Sequence, residues 1–159
     1  MRAALALVAV VASTGSLPKA GMLVPGHSLG GVRLGETAAQ TREALGSFYG
    51  RCDGCASTTF YFTYGKWTRT GLAVELQGGR VAALYTLWQP PGWHTAAGLR
   101  LGAVEGQVTS LAGPVVPVVC AGYTVLVRDA HGTRTAYYVV DGKLWGFGLM
   151  RARANPCHT

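Results

Sequence analysis

The sequence predicts an α+β fold made of two tandem units, each a short helix followed by a three-stranded antiparallel meander. The string GVRLG at 31–35 returns 67 residues later as GLRLG at 98–102, and the 16-residue windows that start there share six identities. A helix signal follows each string, and strand signals joined by Gly-containing turns follow each helix. Self-similarity of this kind is typical of a duplicated unit.

The helix of the first unit is predicted over residues 37–45. Thr37 and Gln40 have the spacing of a capping box, in which each side chain satisfies a backbone N–H at the helix start. Gly46 suits the C-terminal end because glycine readily adopts a left-handed conformation. A loop over 47–57 follows and carries the first two cysteines.

Three strands are predicted next, over 58–64, 72–77 and 80–88. The first is rich in β-branched and aromatic residues, and the second alternates between apolar and polar residues. Gly78 and Gly79 form a two-residue hairpin turn between the second and third. The segment 90–97, with two prolines and a glycine, is predicted to be a linker.

The second unit repeats this order. A helix is predicted over 104–111, weakened by Gly106, and Asp141-Gly142 supplies the last hairpin turn. The predicted strands are 123–129, 133–140 and 143–151. The predicted division of the chain is 1–20 as signal peptide and lead-in, 21–89 as the first unit, 90–97 as linker, and 98–159 as the second unit with a C-terminal tail.

The first residues have the layout of a secretory signal peptide. Arg2 precedes the apolar run 3–12, and small residues follow at 13–16. The run is too short for a transmembrane helix, which needs about 20 residues. We therefore expect cleavage between Ala12 and Gly21 and a secreted, extracellular or periplasmic protein. No cysteine follows the run directly and no later stretch is long and apolar, so we expect neither a lipid anchor nor a membrane span.

Export changes the interpretation of the four cysteines. In an oxidising compartment they predict two disulfides, for which three pairings exist. We favour Cys52–Cys55 as a small loop and Cys120–Cys157 as a tether for the tail. The alternative crosses the units, with Cys52–Cys120 and Cys55–Cys157. Zinc is disfavoured because only one pair has ligand spacing, and a thioredoxin-like redox motif would need a βαβ context.

The charge balance is basic, with 14 Lys and Arg against 7 Asp and Glu and a net charge of +7. Such a balance suits nucleic acid, an anionic envelope polymer or an acidic protein partner. The cations are scattered singly between Arg33 and Arg153, which argues against nucleic acid. Since the sequence shows no phosphate loop, acidic metal cluster or paired catalytic carboxylates, we expect no cofactor and no metal.

A family resemblance rests on the repeated unit. A Gly-hydrophobic-Arg-Leu-Gly turn, a helix ending in Leu-Gly and a meander, present twice in an exported chain, resemble the β-lactamase-inhibitor-protein-like tandem domain. The single unit is similar to that of the small outer-membrane assembly lipoproteins. The resemblance covers roughly residues 28–151. It implies two sheets side by side, helices on one face, and a concave opposite face that grips a partner.

The string GHSLGG at 26–31 matches the G-x-S-x-G nucleophile elbow of α/β-hydrolases. That motif needs a buried strand before the serine, a helix after it, and acidic and histidine partners. Few residues of the mature chain precede Ser28, and a Gly-broken turn follows it. We therefore expect the opening turn of the first unit and no enzyme, with a serine esterase as the last alternative.

Aromatic and arginine side chains are better functional candidates, because they dominate binding hot spots. Trp67, in the turn 65–70, and Trp93, in the linker, are expected outside the core by their position. Tyr85 and Trp88 lie near the junction of the units.

Strand alternation predicts an open sheet face that carries Glu75, Arg128 and Arg134. The predicted binding residues are therefore Trp67, Trp93, Trp88, Tyr85, Arg134 and Arg128. The expected function is a secreted, non-catalytic, inhibitor-like protein that binds a protein or envelope partner through this face and the aromatic loops, as a monomer. The alternative is a cell-wall or polysaccharide-binding module that uses Trp67, Trp88 and Trp93 as stacking platforms.

Overall fold

A computed structural model describes residues 16–158, and its secondary structure is mostly β, with 45% strand and 11% helix. The charged and apolar parts of the expected signal peptide lie outside the described residues. The helices are α1 (Ala38–Leu45) and α2 (Glu105–Ala112). The strands are β1 (Met22–Val24), β2 (Ser28–Leu29), β3 (Gly50–Cys52), β4 (Thr58–Thr63), β5 (Gly71–Gln77), β6 (Arg80–Leu87), β7 (His94–Thr95), β8 (Val116–Cys120), β9 (Tyr123–Ala130), β10 (Thr133–Val140) and β11 (Lys143–Arg151).

Eight of these strands form one antiparallel sheet in the order β3-β4-β5-β6-β11-β10-β9-β8. Strands β3 to β6 and β8 to β11 are each consecutive in the chain, and the pairing of β6 with β11 joins them. At this junction Tyr85 lies opposite Gly148, and Ala83 lies opposite Met150. A second, three-stranded sheet in the order β2-β1-β7 combines the N-terminal hairpin with a strand from the predicted linker.

The predicted fold of two helix-plus-meander units with separate, adjacent sheets is wrong. The eight strands form one continuous sheet, and only two short helices are present among the described residues. The resemblance to the β-lactamase-inhibitor-protein-like family stays a prediction. Two of the strands, β3 and β8, carry no clear sequence signal. Both are edge strands with a single neighbour, and Pro117 in β8 is tolerated at an edge although interior strands exclude proline.

The helices begin and end near their predicted positions, because the capping residues that set these ends lie next to the helices in the sequence. In α1, the Gln40 backbone N–H donates to the Thr37 hydroxyl over 3.3 Å, and the Thr37 N–H donates to the Gln40 side-chain oxygen over 2.9 Å. Gly46 ends α1 with φ 97°. The second helix, predicted over 104–111, spans Glu105–Ala112.

The two GxRLG strings make matching contacts with the main sheet. The Gly35 N–H donates to the Val81 carbonyl over 2.8 Å, and the Gly102 N–H donates to the Leu144 carbonyl over 2.7 Å. Val81 and Leu144 each lie at the start of the strand that follows a hairpin turn. Gly35 and Gly102 have φ of 84° and 87°, a conformation that glycine adopts without strain. Each string therefore fixes the start of one of the two strands that meet at the sheet centre.

The main core lies between the sheet and the two helices. Leu45 of α1 and Val108 of α2 belong to the same buried cluster as Phe62, Leu84 and Phe147 of the sheet. We call this side of the sheet the helix face and the opposite side the open face.

On the open face a smaller cluster contains Val125, Ala136 and Met150. It is covered by the C-terminal tail, whose Ala154 packs against it, and not by a helix. The tail is tied down by a Cys120–Cys157 disulfide, and Cys52 and Cys55 form the other. The favoured pairing is thus confirmed.

Candidate binding site on the open face

Alternate residues of β4, β5 and β6 project from the open face. Tyr61 lies opposite Ala73, and Ala73 lies opposite Tyr85, so two tyrosines flank a small alanine. Glu75 follows Ala73 by two residues and therefore projects from the same face. The small alanine leaves space between the two rings, beside a carboxylate.

A cavity of ≈ 550 Å³ occupies this region, and we call it the polar cavity. Its strand wall includes Thr59, Tyr61, Glu75, Gln77, Ala83 and Tyr85. Asn155, Cys157 and His158 of the tail form the other side, and Arg151 also lines it. The polar cavity is therefore built jointly by the first half of the sheet and the C-terminus.

A second cavity of ≈ 430 Å³ adjoins the first, and we call it the apolar cavity. Its lining includes Tyr85, Trp88, Tyr123, Tyr138, Trp145 and His158. The Trp88 and Trp145 rings meet edge to face with centroids 6.5 Å apart. The Arg69 guanidinium lies 5.6 Å from the Trp88 ring centroid, within the range of a cation–π contact. Tyr85 and His158 line both cavities and so form the boundary between them.

His158 is held at this boundary by backbone and side-chain contacts. Its N–H donates to the Tyr123 hydroxyl over 2.7 Å, and that hydroxyl donates to the His158 carbonyl over 3.0 Å. The Tyr138 hydroxyl lies 2.6 Å from Nε2 of His158. The imidazole also stacks on the Tyr85 ring, with centroids 3.9 Å apart. The Cys120–Cys157 disulfide, one residue earlier, brings the tail to this position.

The ionisation of the site follows from burial and from Glu75. Burial raises the pKa of Tyr85 above its usual value, and the nearby Glu75 carboxylate raises it further. Burial also raises the pKa of Tyr138 well above its usual value. Burial lowers the pKa of His158, and Glu75 opposes that shift. At neutral pH both tyrosines are therefore protonated and the imidazole is neutral, with its Nε2 in hydrogen-bond contact with the Tyr138 hydroxyl.

The structure places the predicted tryptophans differently from one another. Trp67 is 89% exposed in its turn, and Trp88 is 54% exposed beside the apolar cavity. Trp93, expected outside the core, is instead 1% exposed, which corrects the prediction. Its indole N–H donates to the Tyr64 hydroxyl over 2.7 Å.

Trp93 is buried because the N-terminal segment folds across the linker. A Cβ at Gly21 would lie 2.3 Å from the indole ring, so only glycine leaves room there. No local pattern around Pro90 and Pro91 reveals this long-range contact.

The two predicted arginines lie on opposite faces. Arg134, opposite Asp129 on the open face, makes two 2.8 Å bonds to its carboxylate and donates to the Ala154 carbonyl over 2.7 Å. Arg128 lies opposite Thr135 and donates over 2.9 Å to the carbonyl of Ala112, the last residue of α2. The predicted open face therefore holds Glu75 and Arg134 but not Arg128, and both arginines make structural contacts.

The predicted binding residues omit five side chains that form the site, namely Tyr61, Tyr123, Tyr138, Trp145 and His158. The one usable signal was the adjacency of His158 to Cys157, whose pairing with Cys120 places the tail beside β8. Which face of the sheet the tail crosses is not encoded in that pairing.

The GHSLGG string forms a hairpin and not a nucleophile elbow. Ser28 is buried in β2, which pairs antiparallel with β1, whereas an elbow requires a strand-to-helix turn. The hairpin turn is tied to β10, because the Gly26 N–H donates to the Thr135 hydroxyl over 2.9 Å.

Within residues 16–158, no group of three or more His, Cys, Asp or Glu side chains is placed to hold a metal ion. In the same range no helix is both long and apolar enough to span a bilayer.

Comparison with known proteins bears on the fold. No family model matches the chain, and no curated protein matches it. A DUF4309 family protein, YjgB, from Bacillus subtilis is similar in structure with a TM-score of 0.50 and 13% identity, over 73% of this chain and 78% of its own. At this identity the likeness shows a shared fold alone.

A second similar structure is an extracellular protein containing an SCP domain from Bacillus anthracis, with a TM-score of 0.50 and 8% identity. The match covers 75% of this chain and 44% of that one, so this chain spans less than half its length. The two disulfides and this extracellular neighbour are compatible with a secreted protein.

Proposed function

We propose that this chain is a secreted, non-catalytic binding protein that holds a segment of a partner protein on its open face. The observation that carries the proposal is the pair of adjoining cavities, ≈ 550 and ≈ 430 Å³, that meet at Tyr85 and His158. One has a polar lining with a carboxylate, and the other is lined mainly by aromatic rings. Adjacent pockets of different chemistry suit successive side chains of a polypeptide.

The composition of the rim supports the same proposal. Trp88 and Trp145 remain 54% and 37% exposed although both are large apolar side chains. Arg69 lies over the Trp88 ring. Tryptophan, tyrosine and arginine are the residues enriched at binding hot spots, where they contribute large contact area.

A polysaccharide platform is less well supported. That alternative used Trp67, Trp88 and Trp93 as stacking surfaces, and Trp93 is buried. Trp67 remains available, with Lys66 5.2 Å from its ring centroid. Trp88 also stays exposed, but its ring packs edge to face on Trp145 and beneath the Arg69 guanidinium at the apolar cavity, so we favour a protein partner.

The test is an affinity pull-down from the secretome of the producing organism, followed by direct binding of the recovered protein by calorimetry. Wild type is compared with Trp88→Ala and Trp145→Ala, and Trp67→Ala is the matched control because its ring lies outside both cavities. Hot-spot truncation costs about 2 kcal/mol or more, so each cavity variant should weaken binding roughly thirtyfold or more while the control binds like wild type.

Three results would contradict the proposal. These are binding that is insensitive to both cavity variants, sedimentation with purified cell wall in place of a stoichiometric protein, and ester hydrolysis that Ser28→Ala abolishes. The last result would instead indicate an enzyme.

A further inference from the structure

We propose that the polar cavity binds a basic side chain of the partner, whose ammonium or guanidinium group pairs with the Glu75 carboxylate beside the Tyr61 and Tyr85 rings. This inference rests on the proposed function, because it names the chemistry of the partner segment. It assigns the neighbouring apolar cavity to a large apolar side chain close to the basic one.

The first argument is that Glu75 is half-buried and forms no ion pair with any other described residue. Among residues 16–158 the ion pairs within 4.0 Å are Arg51–Asp53 and Arg134–Asp129. Glu75 accepts a long hydrogen bond, 3.5 Å from the Ser57 hydroxyl, and interacts with the Tyr85 hydroxyl, whereas a carboxylate has about four acceptor positions. Although the chain has twice as many cations as anions, neither ion pair of the described residues involves this carboxylate, which therefore has acceptor positions left for a ligand.

The second argument concerns the groups that could neutralise Glu75. His158 faces the same cavity, but burial lowers its pKa and keeps the imidazole neutral at pH 7. Arg151 also lines the cavity, yet it forms no ion pair with Glu75 among the described residues. The charge is therefore left for an incoming cation.

The third argument is the aromatic surrounding of the carboxylate. Tyr61 and Tyr85 flank Ala73 on the same face as Glu75. A cation over a tyrosine face is attracted by the ring quadrupole, and the attraction grows where water is excluded. The His158 imidazole covers one face of Tyr85, so the Tyr61 ring and the uncovered part of Tyr85 are the aromatic surface beside the carboxylate. This surrounding suits a cation with an alkyl stem, which is the chemistry of lysine and arginine side chains.

A test that needs no partner uses n-butylammonium as the probe and n-butanol as its neutral counterpart. We expect n-butylammonium to shift the NMR signals of Tyr61, Tyr85 and His158 saturably in the millimolar range, less at high salt, and n-butanol to bind more weakly. Glu75→Gln keeps the side-chain shape and should weaken n-butylammonium binding about tenfold or more. Glu43→Gln, on the exposed side of α1, is the matched control and should change nothing.

The same pair of variants is then measured against the partner recovered by pull-down, with thermal unfolding showing that each is folded. Glu75→Gln should weaken partner binding about tenfold, and Glu43→Gln should not. Equal n-butylammonium binding by wild type and Glu75→Gln overturns the inference. A partner that needs Trp88 but tolerates Glu75→Gln also overturns it, while leaving the proposed function intact. If Trp88→Ala leaves partner binding unchanged, the proposed function itself is contradicted, and this result differs from the two that overturn the inference.

Discussion

Removing the tail disulfide should destabilise the protein far more than removing the loop disulfide. The change is the double variant Cys120→Ser/Cys157→Ser, compared with Cys52→Ser/Cys55→Ser. A disulfide stabilises the native state chiefly by restricting the unfolded chain, and the effect grows with the length of the closed loop. The two bonds close loops of very different length, so the chain contains its own control.

The magnitudes follow from the sequence separations. With a sequence separation of 37 for Cys120 and Cys157, loop-closure entropy predicts a stabilisation of about 4 kcal/mol at 25 °C. With a separation of 3 for Cys52 and Cys55, the same relation predicts about 1.6 kcal/mol. For a domain of this size, 4 kcal/mol corresponds to a fall in Tm of roughly 8–16 °C.

The assay is equilibrium unfolding in urea without reductant, with thermal unfolding as a second measurement. The tail variant should lose roughly 2 kcal/mol more than the loop variant. It should also expose Tyr123 and Tyr138 to solvent, because His158 no longer covers them. An equal or larger loss in the loop variant, or a loss below about 1 kcal/mol in the tail variant, would refute the reasoning.

Three further predictions concern buried groups. Trp93→Ala should lower the free energy of unfolding by about 3–5 kcal/mol because it empties a core site. Trp67→Ala should change it by less than about 0.5 kcal/mol. Equal effects of the two variants in urea unfolding would contradict the assigned burial. The Tyr137 hydroxyl is buried without a hydrogen-bond partner among the described residues, and burial raises its pKa to about 12. Tyr137→Phe should therefore leave the free energy of unfolding unchanged or raise it by up to about 1 kcal/mol. A clearly lower Tm of this variant would show that the hydroxyl is hydrogen-bonded. Burial lowers the pKa of His158 in the native state, so the unfolded chain binds the proton more readily and stability should fall as the pH drops below about 6.5. In unfolding measured from pH 7.5 to 5, His158→Gln should flatten this dependence. An unchanged slope in that variant would contradict the lowered pKa.

Local causes made part of the fold predictable. The capping box at Thr37 predicted α1, and the turn at Gly78-Gly79 predicted the β5–β6 hairpin, where both glycines have positive φ. Cysteine spacing and the expected compartment favoured the observed disulfides. These features depend on neighbouring residues, so a linear pattern is enough to predict them.

The candidate site was predictable only where it follows strand alternation. Glu75 and Tyr85 project from the same face of the sheet, as alternation in a strand requires. Arg128 was misplaced because its relation to Arg134 depends on the register of β9 with β10, in which Arg128 faces Thr135. Trp93 was misplaced because its environment comes from Gly21 and Gly30, distant in the chain.

By itself the sequence determined the hairpin turns at 78–79 and 141–142, the helix boundaries, the alternation of faces along β5 and the glycine strings at 31–35 and 98–102. Only the tertiary structure decided that β6 pairs with β11, which merges two meanders into one sheet, and that the tail crosses the open face to divide its cavities at His158. The physical reason is that strand pairing uses backbone groups common to every residue. No side-chain pattern in β6 or β11 therefore specifies which strand edge it joins, whereas a turn or a cap depends on the residues that form it.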